Sequence, residues 1–486
     1  MEDDPRRRLD EDPERLPIRF GSGGWRGVLG GEFTFARARA LAGAVAGLAA
    51  EERPGAPVLV GHDTRFLADR AAREVADALA SAGARVVEAR GPVPTPAVCR
   101  AVWRRGCGAG VVVTASHNPP EYLGLKVIGP DGACAGSAAI ARLECDAARR
   151  LARGAAEPSE APPAAAAALL PVAAAYRRDL SRVLDRDVFR RAPLRVVYDA
   201  FHGAGAGVLD GALTQAGVAV TLRRGEPDPR FGGAAPDPVP GRLGPLRAAV
   251  RALRGRGLGL ATDGDADRLA VVDADGRVLS ETETLALLVD YVAATRGARG
   301  TLALSRACGS LVAKVAEAHG LRVERHGLGF APLAGALAAG HAVLAGDESG
   351  GFAFAPFARD KDGMLAGALL AERAARERAP LRRALSALAR RHGRSACGRT
   401  AVAALPERLR ALARLAAAPP DHCDGTRAVA ADCADGVRVE LADGGFVLWR
   451  TSRTEPVVRL YAEAPTAPAL RRRLRAAHAL LDGARP

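Results

Sequence analysis

The sequence predicts three consecutive α/β domains with mixed, largely parallel sheets, followed by a C-terminal α+β domain. Three observations carry that expectation. The chain has 486 residues, beyond the roughly 250 to 300 at which a single hydrophobic core stops growing, so several packed domains are required. Hydrophobic residues make up 48% and charged residues 26%, which is ordinary globular usage and excludes a mainly disordered or fibrous chain. Apolar β-type runs alternate with Ala/Leu/Arg-rich helical stretches until the tail, where strands become closely spaced. That alternation is the pattern of βαβ units.

Taken in order, residues 1–15 read as a disordered leader, because Pro5, Pro13 and dense charge leave nothing to bury. A helix is expected over 36–51, a strand over 58–61, a helix over 68–82, and strands over 85–87 and 110–114. The stretch 154–168, with Pro158, Pro162, Pro163 and an alanine run, reads as a boundary. Strands at 194–198, 218–222, 258–262 and 269–273 begin a second α/β unit. A third has a strand at 301–304, a helix at 310–319 and a strand at 342–344. After a basic helix ending near His392, strands at 437–441, 445–449 and 457–462 and a helix at 467–481 make a small α+β module. The expected domains are 16–155, 156–278, 279–392 and 393–486.

Charge and cysteine content narrow the function. The net charge is +14, and all but three of the 69 basic residues are arginine, the exceptions being Lys126, Lys314 and Lys361. Such a balance fits an anionic partner, either nucleic acid or a small phosphorylated substrate. Aromatics at 4% and arginines spread along the whole chain argue against base-stacking platforms or a basic arm. The eight cysteines contain no C-x-x-C pair, so zinc ribbons and dithiol exchange motifs are absent and reduced cytoplasmic thiols are expected. No apolar run of about 18 residues is free of charge and proline, and the start is charged without an apolar stretch behind it. Neither a membrane span nor a secretion signal is expected.

Four polar loops follow strand-like runs, where open α/β sheets bind ligands. In Thr114-Ala115-Ser116-His117-Asn118-Pro119-Pro120, a serine at a strand end beside a histidine suits a nucleophile, or the segment is a proline-stiffened turn. No G-x-S-x-G elbow surrounds Ser116, which disfavours hydrolase chemistry. In Asp263-Gly264-Asp265-Ala266-Asp267-Arg268, three carboxylates at alternate positions repel one another unless a hard cation gathers them, so Mg²⁺ or a similar ion is expected, or else the run is an acidic turn. An EF-hand fails, with Arg268 at its sixth position and Ala274 at its twelfth. In Gly346-Asp347-Glu348-Ser349-Gly350-Gly351, Glu348 and Ser349 suit sugar hydroxyls, though a glycine-rich turn explains the run equally well. In Arg450-Thr451-Ser452-Arg453-Thr454-Glu455-Pro456, guanidinium forks and hydroxyls make a cradle for a phosphate dianion or a charged hairpin turn.

In that order, and together with Phe20-Gly21-Ser22-Gly23-Gly24-Trp25-Arg26-Gly27, Gly61-His62-Asp63-Thr64-Arg65, Gly124-Leu125-Lys126, His202-Gly203-Ala204-Gly205 and Lys361-Asp362-Gly363, the four loops resemble the α-D-phosphohexomutases of the phosphoglucomutase/phosphomannomutase type. The resemblance runs from Phe20 to about Glu463. It implies a phosphoserine at Ser116 in the first domain, and Mg²⁺ held by Asp263, Asp265, Asp267 and the serine phosphate in the second. It further implies sugar contacts from Glu348 and Ser349 in the third domain and a phosphate cradle of Arg450, Ser452, Arg453 and Thr454 in the fourth. The active site would lie in the central cleft where one loop from each domain meets. Phosphoryl transfer through a hexose 1,6-bisphosphate needs positioning and charge neutralisation, so Arg26, Arg268 and His117 are expected stabilisers. Lys126 fits a general acid/base, because a lysine with a lowered pKa can release a proton and an arginine cannot.

The implied enzyme is a cytoplasmic phosphohexomutase acting on hexose 1- and 6-phosphates, as a monomer or weak dimer without nucleic-acid or membrane partners. Glucose phosphate is the first expectation because the G-x-E-S-G-G loop resembles glucomutase-like members; mannose phosphate follows, then glucosamine phosphate. A sugar-phosphate phosphohydrolase and a non-catalytic basic binding protein are the other classes. Arg453 stands where the family has glycine or asparagine, which implies about 1 kcal/mol of backbone strain or a differently bent loop. Phe330 and Ala331 are apolar where the family often has a histidine, lysine or serine.

Overall fold

The computed structural model describes residues 17–21, 23–154, 167–255, 257–452 and 456–483. The leader expected at 1–15, most of the boundary at 154–168, and Arg453 and Thr454 lie outside the described residues. The chain divides into two compact units. One takes Met1–Leu279, Phe330–Ala345 and Gly351–Leu381, and the other Ser280–Gly329, Gly346–Gly350 and Arg382–Pro486.

The first unit contains two sheets. In the larger, seven strands run in the order Phe20–Gly21, Gly24–Val28, Tyr122–Ile128, Ala109–Val113, Val58–His62, Val86–Ala89 and Ala168–Leu170. Val58–His62 pairs in parallel with Ala109–Val113 and Val86–Ala89, whereas Tyr122–Ile128 runs antiparallel to Ala109–Val113 and to Gly24–Val28. The central strands are apolar at successive positions, as strands covered on both faces must be. Every residue of Ala109–Val113 is buried. Helices Phe35–Glu52, Ala68–Ser81, Thr95–Arg105 and Ser137–Ala152 belong to this part. Thr34 caps the first by accepting from Arg37 N at 3.2 Å. Alanine dominates the core face of that helix (Ala38, Leu41, Ala42, Val45), which lets the neighbouring helices Ala68–Ser81 and Ser137–Ala152 pack against it.

The second sheet has the order Leu269–Val272, Gly257–Thr262, Arg195–Asp199, Ala219–Arg223. Its last three strands are parallel, and its first two form an antiparallel hairpin. The turn of that hairpin is the three-aspartate loop. Helix Gly363–Glu377, buried along most of its length, packs on these strands. Asp362 caps it by accepting from Leu365 N at 2.9 Å and also accepts from Tyr176 Oη at 2.8 and 2.6 Å.

The second unit begins with helix Glu281–Thr295, which opens on a capping box between Ser280 and Glu283. The parallel pair Thr301–Ser305 and Arg322–His326 follows, with helix Ser310–Ala318 between them. Its C-terminal part is a six-stranded antiparallel sheet in the order Ala396–Ala403, Val457–Ala464, Phe446–Thr451, Val437–Leu441, Thr426–Asp432, His422–Cys423. Helices Pro406–Ala417 and Ala467–Leu481 pack with it. Trp449, fully buried at its centre, donates from Nε1 to Ala477 O at 2.8 Å. The sequence predicts only three of those strands and one of those helices. The additional strands are rich in alanine, glycine and arginine, weak strand formers that are held by ladder hydrogen bonds to a neighbour. No helix among the described residues is long and apolar enough to cross a membrane.

Asp362 gives the first unit a pH dependence. Burial pushes its carboxyl up to about 6, against the pull of the Leu365 amide and the Tyr176 hydroxyl. A carboxyl raised on folding binds its proton more tightly in the folded state, so its contribution is greatest below the unfolded value and is lost as pH rises through about 6, with a ceiling of about 3 kcal/mol. Asp362→Asn, neutral throughout, is therefore expected to gain stability relative to wild type between pH 4.5 and 7.5. Urea unfolding of both proteins at the two pH values checks this, and a pH-independent difference contradicts it.

Candidate active site

Ser116 sits one turn beyond strand Ala109–Val113, almost fully buried, with φ 53°. This left-handed conformation is uncommon for a residue other than glycine, and such strain clusters at functional sites. The loop is held from within and from beneath. Ser116 N donates to Thr114 Oγ1 at 2.8 Å, and Thr114 Oγ1 donates to Asp63 Oδ2 at 2.6 Å. Arg65, itself paired with Asp63 at 3.3 Å, reaches four carbonyl oxygens of the same segment.

The aspartate loop faces this serine within the first unit. Ser116 Oγ donates to Asp263 Oδ2 at 2.7 Å. One oxygen from each of Asp263, Asp265 and Asp267 lies within 4.8 Å of the other two, and all three residues are buried. Ala266 has φ 60°, the tight turn that lets alternate carboxylates converge. Asp265 accepts from Thr95 Oγ1 at 2.5 Å and from Lys126 Nζ at 2.6 Å. Asp267 accepts from Lys126 Nζ at 2.5 Å and pairs with Lys361 at 3.3 Å. Arg268 N donates to Asp263 Oδ1 at 3.1 Å.

Electrostatics divide the three carboxyls. Burial, then Asp265 and Asp267, pushes Asp263 well above the usual carboxylate range. Burial also works to raise Asp267, but Lys126, Lys361 and Arg268 outweigh it and hold that group below the usual range. Two oxygens, Asp265 Oδ1 and Asp267 Oδ1, are buried with no hydrogen-bond partner among the described residues. Stranded anionic lone pairs in a hard-oxygen cluster suit a divalent cation such as Mg²⁺, so the donor set fits the ion expected from the sequence.

Two sequence expectations need correction. Lys126 is expected to have a lowered pKa; burial works that way, but Asp265 and Asp267 outweigh it and hold its proton more tightly than in an ordinary lysine. His117, 3.3 Å from Ser116 Oγ through Nδ1, is expected as a cationic stabiliser. Burial, then Arg268 and Arg26, drives its pKa far below the ordinary value, so the ring is neutral and the positive charge beside Ser116 belongs to arginines and lysines. Arg26 donates to Asn118 Oδ1 at 2.7 Å and to Gly23 O at 3.3 Å, which places it against the serine loop.

The other predicted residues belong to the second unit. Glu348 accepts a hydrogen bond from Ser305 Oγ, and burial, then Asp347, pushes its carboxyl up. Ser349 donates through N and Oγ to Asp347 Oδ1 at 2.9 and 2.7 Å. Arg450 pairs through Nε with Asp435 at 2.7 Å, and Asp435 also accepts from Leu328 N at 3.0 Å. Ser452 N donates to Val457 O at 2.9 Å. Thus the structure brings Ser116, His117, Lys126, Arg26, Arg268 and the three aspartates together in one unit, with Glu348, Ser349, Arg450 and Ser452 in the other.

Sequence reasoning missed Thr95, Lys361 and any role for Asp63 and Arg65. A signal existed for Lys361, since it shares with Lys126 the rarity of lysine in this chain. Gly363 shows how closely that segment approaches: a Cβ there would lie 2.4 Å from Arg268 O. Thr95 left no signal, being an ordinary helix-start residue.

Set beside known proteins, the chain matches four family profiles in succession: the phosphoglucomutase/phosphomannomutase α/β/α domains I, II and III at residues 17–152, 174–276 and 280–392, and the C-terminal domain at 399–479. A phosphoglucomutase/phosphomannomutase of Thermococcus kodakarensis is 30% identical over 96% of this chain and 98% of its own. A phosphoglucosamine mutase of Acidothermus cellulolyticus is 33% identical over 93% and 92%. A solved structure from Thermus thermophilus, described provisionally as a phosphomannomutase, is 33% identical with TM-score 0.82 and coverage of 96% and 100%. A phosphoglucomutase/phosphomannomutase family protein from Burkholderia thailandensis is 26% identical with TM-score 0.80 and coverage of 97% of both chains. With three α/β domains and a C-terminal antiparallel domain all matched in order, the chain belongs to the phosphoglucomutase/phosphomannomutase family of α-D-phosphohexomutases, enzymes that move a phosphoryl group within a sugar phosphate.

Proposed function

We propose that the chain interconverts hexose 1-phosphate and hexose 6-phosphate, glucose first, by way of a phosphoserine at Ser116 and a hexose 1,6-bisphosphate. The observation that carries this reading is the 2.7 Å hydrogen bond from Ser116 Oγ to Asp263 inside the buried three-aspartate cluster. A serine phosphate at that oxygen would project into the carboxylates, and Asp263, Asp265 and Asp267 would hold Mg²⁺ there. The ion would neutralise phosphoryl oxygens and polarise the phosphorus.

The chain's own residues supply the remainder. Arg26 and Arg268 add positive charge beside Ser116, where transferring phosphoryl oxygens carry negative charge. His117, being neutral, serves as a hydrogen-bonding neighbour of Oγ and leaves that charge balance to the arginines. Lys126 starts protonated, held by Asp265 and Asp267, and would add a further positive charge beside the transferring phosphoryl group. Glu348 and Ser349 would read hexose hydroxyls, and Arg450, Ser452, Arg453 and Thr454 would hold the phosphate that is not transferring.

Glucose is favoured by Glu348 within the Gly346–Gly351 loop, which resembles glucomutase-like members. The second reading is glucosamine phosphate, favoured by the names of several relatives. The eight unpaired cysteines support a reducing cytoplasmic setting, and the partners in this reading are small hexose phosphates.

Intact-mass measurement of the purified protein is expected to find a fraction heavier by one phosphoryl group, absent in Ser116→Ala, and that variant should lose mutase activity. A coupled assay offering glucose, mannose, glucosamine and N-acetylglucosamine 1-phosphates is expected to give the highest kcat/KM with glucose. A preference for glucosamine would select the second reading, and phosphate release without isomerisation would replace both with a hydrolase. Asp265→Asn is expected to raise the Mg²⁺ concentration for half-maximal activity by about tenfold or more while circular dichroism is unchanged. Loss of fold with unaltered Mg²⁺ dependence would make the aspartate loop a structural turn.

A further inference from the structure

Ser116 requires an explanation for its backbone as well as its side chain. Its left-handed φ opens a segment, residues 116–122, in which the carbonyls of Ser116, Asn118, Pro119 and Tyr122 turn toward one buried cation. Arg65 Nη2 donates to Ser116 O and to Asn118 O, both at 2.7 Å. Nη1 donates to Pro119 O at 2.8 Å and to Tyr122 O at 3.1 Å. The guanidinium is fixed from its other sides. Asp63 pairs with Nε and also binds Arg65 N at 2.9 Å, and the ring of Phe231 lies 4.9 Å from the guanidinium carbon. Arg65 is 3% exposed, so water cannot replace it.

The same carbonyl is constrained by the metal loop. A Cβ on Gly264 would stand 2.6 Å from Ser116 O, so the aspartate loop presses against the peptide that Arg65 holds. Thr64, the neighbour of Arg65, donates from Oγ1 to His202 O at 2.8 Å, and a Cβ on Gly203 would meet Gly264 O at 2.6 Å. The segment Asp63–Arg65 therefore contacts the serine loop directly and the aspartate loop through one intermediate turn.

We propose that Arg65 is a positioning residue for phosphoryl transfer: its planar fork holds Ser116 in left-handed backbone and sets the separation of Ser116 Oγ from the aspartate cluster. Planarity is essential, because four carbonyl oxygens in divergent directions match five donors in fixed geometry and do not match a point charge. The proposal rests on Ser116 being the phosphoryl carrier. Arg65 itself need not touch the sugar, so its loss should act on turnover and leave substrate binding nearly intact.

The test compares Arg65→Lys and Arg65→Met with Val45→Ala, a core truncation in the same sheet-and-helix layer that touches neither loop. Thermal unfolding, kcat, KM for the preferred hexose phosphate and Ser116 phosphorylation by intact mass are read for each. Both Arg65 variants are expected to lose about 100-fold in kcat with KM changed less than about threefold, while Val45→Ala keeps its kcat within about threefold at a comparable loss of melting temperature. Lysine failing to rescue is the signature of the fork. Wild-type kcat in Arg65→Lys, or an equal loss in Val45→Ala, overturns the proposal. If the Arg65 variants do not fold, Phe231→Leu removes the ring beneath the guanidinium and keeps its bulk. It should lower kcat about threefold to tenfold at unchanged KM, and a wild-type kcat there overturns the proposal. Full activity in Ser116→Ala would instead reject the phosphoserine reading, whatever Arg65 does.

Discussion

Three carboxyls buried in one hairpin turn cannot all be ionised without nearby positive charge, and the first unit is arranged around that constraint. Like charges about 4 Å apart repel by about 4 kcal/mol at the effective dielectric near a protein surface. Here Lys126 and Lys361 meet Asp265 and Asp267, and Asp263 is left in the raised state that burial imposes. The cations that balance the acids also bear on their neighbours. Burial, then Arg268 and Arg26, holds His117 neutral. A hard cation joining the carboxylates would share the role that the two ammonium groups fill.

Acids organise the second unit differently, by joining chain segments. Glu463, at the end of strand Val457–Ala464, accepts from Ser310 N at 3.0 and 2.8 Å and from Ser310 Oγ at 2.8 Å. It thereby ties the start of helix Ser310–Ala318 to the antiparallel sheet. Asp435 binds both Arg450 and the Leu328 amide, so the end of strand Phe446–Thr451 that carries Arg450 is braced by the turn after strand Arg322–His326. A small apolar cluster of Ala307, Leu328, Phe446, Leu448 and Tyr461 fills the space between these segments. One ion pair thus fixes the Arg450 side chain while its backing is apolar, which limits the desolvation cost to a few groups.

The sequence made legible those features that have a local cause. Val58–His62, Ala109–Val113 and Gly257–Thr262 are runs of buried apolar residues and are found within a residue or two of their expected ends. The aspartate loop is equally plain, because three acids at alternate positions have few other uses. Strands Ala396–Ala403 and Thr426–Asp432 escape notice because their residues favour no strand on their own and because pairing partners far along the chain decide their conformation. The same long-range dependence hides the signs of two pKa shifts. Lys126 lies on strand Tyr122–Ile128 and His117 in the serine loop, yet the direction of each shift depends on burial and then on Asp265 and Asp267 for the lysine and Arg268 and Arg26 for the histidine, which only the folded chain brings near. Arg65 stands in a motif of the resemblance, but its role is not legible until four carbonyls converge on it.

The distribution of lysine has a practical side. Two of the three lysine side chains, Lys126 and Lys361, are engaged with the aspartate cluster and largely shielded, while Lys314 is exposed on helix Ser310–Ala318. Reagents that acylate amines would therefore meet one accessible side chain on an otherwise arginine-covered surface. With the α-amino group blocked beforehand, coupling through it would tether molecules by the same helix, giving an oriented layer on a sensor or resin without engineered cysteine, with the serine and aspartate loops left unmodified.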